Sequence, residues 1–267
     1  MTMTRDPSWL VPDWPAPARV RALATTRQGG VSSGPYGLAD GSKGGLNLGT
    51  HVGDVPGDVA TNRARLAACL PAMPLWLEQV HGCAVATVDH IAAPREAVPQ
   101  ADASLAVTPG LVCAVMTADC LPVLLCDTAG TVVGAAHAGW RGLCGGVVEA
   151  TLARMQAASG NASARWLAWL GPAIGPEAFE VGAEVREAFL AQARPGEEPA
   201  IEAAFRAGAP GKYMADLYAL ARTRLGRAGC TDVYGGDTCT VADARRFYSY
   251  RRDGVTGRMA SLIWLDA

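Results

Sequence analysis

LVCAVMTADCLPVLLCDTAGTVVGAAHAGWRGL, residues 111–143, decides how the rest of the chain is read. It holds three short apolar runs, 111–118, 121–128 and 131–138, broken at Asp119-Cys120 and at Ala129-Gly130. Runs of this length between turn residues read as strands. Their near-continuous hydrophobicity predicts a sheet buried on both faces, since a half-exposed strand would alternate apolar with polar. Cys120 lies where one strand ends, and Pro122 forces the next segment to be extended. His137 closes the third run. Two residues that terminate neighbouring strands can point into one cavity at the sheet's end.

Outward from this centre the periodicity changes. GVVEATLARMQAAS (146–159), AEVREAFLAQA (183–193) and YMADLYALARTRLGRAG (213–229) carry helical signals, the last stopped by Gly229. Upstream, DVATNRARLAACLP predicts a helix capped by Asp58 and ended by Pro71. Before it runs a glycine-rich loop, RQGGVSSGPYGLADGSKGGLNLG, residues 27–49, and loops of that length are more often functional than idle. Strands and helices mix without strict βα alternation, and neither GxGxxG nor GxxxxGK[ST] occurs. The expected fold class is α+β: a single domain over residues 1–267, with mixed β-sheets flanked by helices.

Composition excludes several function classes. With 267 residues, 50% hydrophobic and 18% charged, the chain is too apolar for disorder. Lys and Arg number 23 against 25 Asp and Glu, so no overall charge draws it to nucleic acid or an anionic membrane. No apolar run approaches the ~20 residues that span a bilayer, and the N-terminal stretch lacks the apolar core of a secretory signal. The eight cysteines include no CxxC pair, and several sit inside apolar runs; they read as reduced thiols. The expectation is a cytoplasmic monomer without nucleic-acid or membrane partners.

Candidate chemistry gathers on few residues. The chain has four histidines, and two lie in unusual contexts, His81 in EQVHG and His137 in HAGWRG. Cys120 in TADCLP stands 39 residues after His81 and 17 before His137. Two imidazoles and a thiolate suit zinc, with a fourth position left for water or substrate. The same residues also fit a metal-free hydrolase or amidase, with Cys120 as nucleophile, His137 as base and an Asp orienting the ring. An ordinary buried thiol beside two hydrogen-bonded histidines is the third possibility. In HAGWRGL, Gly139 and Gly142 let backbone N–H groups approach a ligand. Arg141 near a helix start makes an anion site or simply a solvated turn residue. Trp140 suits ring stacking or the core.

Taken together, QVHG (79–82), ADCLPVLL (118–125) and HAGWRGL (137–143) resemble the YfiH-like family, also called laccase-domain or multi-copper polyphenol oxidase proteins. RQGGVSSGPYG, LNLGTHVGD, TNR (61–63), ADAS (101–104), GPAIGPEAFEVG (171–182) and FYSYRRDGVTGR (247–258) extend the resemblance over nearly the whole chain. It implies one cavity with zinc bound by His81, Cys120 and His137. It further implies purine nucleoside phosphorylase activity on adenosine, inosine, guanosine and methylthioadenosine, with adenosine deamination beside it. Copper and phenol oxidation have also been attached to the family.

Physical chemistry weighs these attributions. Multicopper oxidation needs many imidazoles, usually in HxH pairs, and four histidines without HxH do not supply them; one His₂Cys site would hold a single copper. The HxE and PCxxC pattern of cytidine-type deaminases is absent. Phosphorolysis needs an anion cradle beside a nucleoside pocket, for which Arg141 is the first candidate and Arg27 and Asn47 follow. Asp102 and Asp119 are candidates to orient an imidazole. His51 either contacts substrate or braces the glycine-rich loop, and His90 is expected at the surface.

Overall fold

A computed structural model of the chain describes residues 6–88 and 98–267; His90 lies outside them. The three central runs form strands Val112–Thr117, Leu121–Asp127 and Val133–Ala138, and every residue of each is buried. They do not share one sheet. The last two form an antiparallel pair inside a six-stranded mixed sheet. Across that sheet the order is Asp232–Gly235, Trp166–Leu170, Leu121–Asp127, Val133–Ala138, Ala103–Ala106 and Val85–Thr87, parallel only in the two outermost pairings. Val112–Thr117 instead pairs antiparallel with Met259–Leu265, which also pairs with Val20–Ala24. Asp119-Cys120 is thus a crossing between two sheets, a distinction that hydrophobic pattern alone does not carry.

Burial on both faces follows from strand alternation. Val123 and Leu125 point into a core shared with the helices Val147–Ser159 and Leu217–Arg227. Leu124 and Cys126 point the other way, against Cys113, Val115 and Ile263 of the three-stranded sheet. The far face of that sheet (Ala114, Met116, Leu262) packs on Leu46, Leu48 and Leu66. Each such aliphatic side chain taken from water contributes about 1.5–3 kcal/mol. A third small sheet, Phe205–Ala207, Lys212–Ala215 and Glu180–Gly182, lies at the helical side.

Two helix starts differ from expectation. The first helix is Pro56–Ala67: Pro56, with its fixed φ and no N–H to lose, begins it, and Asp58 falls in the first turn without capping it. The segment 213–229 splits into the strand Lys212–Ala215 and the helix Leu217–Arg227, because Asp216 caps the helix by accepting the Ala219 N–H at 2.9 Å. Gly229 follows the helix at φ +82°, as its stop role requires.

The glycine-rich loop is bound to the first helix by Asn62, wholly buried, whose amide donates to Ser32 Oγ, Gly45 O and Asn47 O and accepts from Val31 N. Gly45 is required there: a Cβ would come 1.8 Å from Tyr36 O. Among the described residues no helix is long and apolar enough to cross a membrane, and all eight cysteines are free thiols.

Candidate metal centre

The register that pairs Pro122 with His137 sets Cys120, just before one strand, beside the end of its neighbour. His137 has the same parity as Val133 and Ala135, so it faces the three-stranded sheet, where Met116 and Thr117 end their own strand. His81 arrives from the segment before Val85–Thr87. One ligand atom from each of His81, Cys120 and His137 lies within 4.8 Å of the others, with His81 Nε2 3.7 Å from Cys120 Sγ. The two imidazole centroids are 4.8 Å apart.

Asp102 organises this cluster. Its fully buried carboxylate accepts the backbone N–H groups of Val80, His81 and Gly82 at 3.1, 2.9 and 2.7 Å. It also lies 2.8 Å from His137 Nδ1, which leaves Nε2 of that ring for the cluster. His81 and Asp119 sit at φ +61° and +91°, the non-glycine residues with positive φ among those described. Such conformations cost of order 1–3 kcal/mol and persist where surrounding contacts impose them. The N–H bond to Asp102 imposes the first. For Asp119 the restraint is different: its carboxylate accepts from Thr240 Oγ1, Ser249 Oγ and Arg251 N at 2.6, 3.0 and 2.7 Å. Asp119 therefore ties the Cys120 turn to the 240–251 segment and orients no imidazole, unlike the expectation.

Without a bound ion, burial pushes the Cys120 thiol up, but the His137 charge and hydrogen bonds from both imidazoles outweigh it and hold it at about 6. Burial likewise works against a charged His137, yet Cys120 and Asp102 raise it to about 9. The pair favours thiolate and imidazolium, so the sulfur is already in the form a metal binds, and His137 would release its Nε2 proton on binding one. Gly139 leaves the room: a Cβ there would stand 2.8 Å from Cys120 Sγ and 3.0 Å from His81 Cδ2. Donor set, spacing and an oriented imidazole fit a tetrahedral N/S metal such as zinc.

The cluster forms part of the wall of a cavity of about 800 Å³ that also receives His51, Arg63, Trp76, Tyr250 and Arg258. The anion ligands expected from the sequence lie elsewhere. Arg141 is exposed in the six-residue helix Trp140–Gly145, its guanidinium 4.4 Å over the Trp140 ring, and is not part of the cavity wall. Trp140 itself packs against the helical core. Arg27 is buried and donates to Gly37 O, Leu38 O and Ala244 O, so its fork is engaged by loop carbonyls. Asn47, also buried, bonds Gly49, Asp54 and the Arg258 N–H. Both hold the loop together, and neither is among the residues that line this cavity, unlike the expected phosphate role. Arg63 and Arg258 were not singled out from the sequence; the signal available was their place inside TNR and FYSYRRDGVTGR.

A family model described as multi-copper polyphenol oxidoreductase laccase matches residues 21–266. The chain belongs to this family. Among its relatives, a Pseudomonas aeruginosa protein named purine nucleoside phosphorylase is 53% identical over 97% of this chain and 99% of its own. The Escherichia coli protein named purine nucleoside phosphorylase YfiH is 53% identical over 96% of this chain and 98% of its own. Of solved structures, NMB0706 of Neisseria meningitidis superposes with TM-score 0.85 at 50% identity, covering 97% of this chain and all of that one. YlmD of Geobacillus stearothermophilus gives 0.86 at 33% identity, covering all of this chain and 99% of that one.

Proposed function

We propose that the protein is a zinc-dependent purine nucleoside phosphorylase, acting on adenosine, inosine, guanosine and methylthioadenosine, with adenosine deamination as a side activity. The observation that carries this reading is the His81–Cys120–His137 cluster opening onto a cavity of nucleoside size, in a chain whose relatives at 45–53% identity bear that name. His81, Cys120 and His137 would hold the metal, and zinc supplies Lewis-acid polarisation of a substrate atom or water. Asp102 keeps the His137 ring oriented, and Tyr250 with Val80 offers apolar surface at the cavity wall for a purine. A small-molecule enzyme of this kind, one domain acting in the cytoplasm, needs no macromolecular partner.

A copper-dependent polyphenol oxidase fits less well, since four histidines without an HxH pair do not provide the ligands for dioxygen reduction. The second reading is a Cys/His hydrolase or amidase. It is favoured by one geometric fact, the alignment of Cys120, His137 and Asp102 as nucleophile, base and orienting carboxylate. Incubation with adenosine, with and without phosphate, separates the classes by product. Ribose 1-phosphate and adenine support phosphorolysis, and inosine supports deamination. Neither product, together with thiol alkylation that tracks lost activity after chelation, supports the hydrolase.

A further inference from the structure

Arg63 and Arg258 stand apart from the other sequestered arginines. Arg224 faces Glu149, Arg227 faces Glu197 and Glu149, and Arg27 is engaged by carbonyls. Arg63 and Arg258 are half-buried on one cavity wall, and neither forms an ion pair among the described residues. Glu78 shares that cavity but is exposed and bridges to neither. Buried positive charge without a partner is expensive; Arg258 feels the charge of Cys120 and Asp119 without pairing with either, and Arg63 feels burial alone, so this under-compensated pair on a cavity suits an anion.

The donors are also placed in advance. Arg63 rises from the helix Pro56–Ala67, lies 4.3 Å over the Trp76 ring and spends Nε on Leu48 O at 2.9 Å and Nη2 on Met116 Sδ. Its Nη1 has no protein partner among the described residues. Arg258 is held by its backbone N–H to Asn47 Oδ1 at 2.9 Å and by Nη1 to Thr256 O and Gly257 O. Its Nε and Nη2 are left over in the same sense. Gly49 makes space for this side chain, since a Cβ would lie 2.8 Å from Arg258 Cγ. His51 lines the same cavity, and burial, then Arg258 and Arg63, lower its pKa, so the ring stays neutral with one N–H to donate.

We infer that Arg63, Arg258 and His51 form the subsite for a tetrahedral oxyanion, inorganic phosphate, the attacking co-substrate. This assignment rests on the proposed phosphorolysis. Two guanidinium groups reaching the cavity from separate elements, with an imidazole N–H beside them, suit an anion whose acceptor oxygens are spread over a tetrahedron. A hydrogen phosphate oxygen forms the bond to C1′ of the nucleoside. The C1′–N9 bond breaks with its electron pair going to the purine, and the phosphate's proton ends on the base. The products are ribose 1-phosphate and free purine.

The test uses zinc-loaded protein and initial rates of inosine phosphorolysis as inorganic phosphate is varied. Arg63→Gln and Arg258→Gln are each expected to raise the phosphate KM on the order of 30- to 1,000-fold, with the inosine KM within about threefold. Arg→Lys at either position should recover part of the loss, and its zinc content and thermal unfolding should match the parent, which guards against a folding failure. A phosphate KM within about threefold of the parent in both Gln variants, or an equal rise for inosine, overturns the subsite. If the parent does not phosphorolyse nucleosides but calorimetry shows one inorganic phosphate bound per chain and lost in Arg258→Gln, the subsite stands and the phosphorylase reading falls. If adenosine 5′-monophosphate binds through these arginines and inorganic phosphate does not, the anion is the substrate's own and the co-substrate assignment falls. No phosphate binding of either kind removes the subsite.

Discussion

Asp102 Oδ1 lies 2.8 Å from His137 Nδ1, and the same carboxylate takes three successive backbone N–H groups from Val80, His81 and Gly82. One buried charge thus positions one imidazole by its ring and another by its backbone. Hydrogen bonds from His137 and the backbone keep the Asp102 carboxyl below its usual range despite burial.

Replacing Asp102 by Asn keeps the shape but turns an amide donor toward groups that are themselves donors. Zinc affinity should fall about 10- to 100-fold, as losses of such orienting partners do. Competition against a chelator of known affinity measures it. Unchanged affinity would mean that the two rings hold their positions without the carboxylate.

Gly139 tests the packing around the same cluster. Its backbone, φ −59° and ψ +158°, suits alanine, so Gly139→Ala acts only through the methyl group aimed at Cys120 Sγ and His81 Cδ2. Bound zinc should drop while the fold is retained, as it should in His81→Ala, Cys120→Ala and His137→Ala. Elemental analysis of the four purified variants decides. Full zinc in the three ligand variants removes the proposed site.

Arg141→Ala should change phosphate KM and kcat by no more than about threefold, the range of an exposed side chain away from the cavity. A rise of about 30-fold or more, the loss of a charge-assisted contact, would return the anion site to the HAGWRG segment.

Acid stability should depend on Glu197. Both its oxygens accept from Arg227, and those bonds hold the carboxyl down at about 2, against an ordinary 4.5. Because the folded pKa is depressed, the stabilisation is complete above about pH 4.5 and is lost as pH falls through about 2. Its size is on the order of 1–2 kcal/mol once solvent screening of a partly exposed pair is allowed for. Urea unfolding of the parent and Glu197→Gln at stepped pH should show curves that converge toward pH 2. Parallel curves would show that the ion pair does not carry the acid limb.

How much could be read from the chain alone divides along physical lines. Strand content, the buried character of 112–138 and the mixed α+β class followed from local pattern, because apolar runs are local properties, whereas the His81–Cys120–His137 set came through the family resemblance of its three motifs. Sheet partnership was not local. Val112–Thr117 and Leu121–Asp127 are adjacent in sequence and equally apolar, yet the first pairs with the C-terminal strand, a choice made by long-range packing. The roles of the arginines divide the same way. Arg27, Arg141, Arg63 and Arg258 carry the same guanidinium. Only the tertiary structure turns the first into loop carbonyls, leaves the second on the surface and brings the last two, 195 residues apart in sequence, to one cavity. A residue's type determines what it can bind; the neighbours that occupy its donors, set by contacts distant in sequence, determine what remains free to bind.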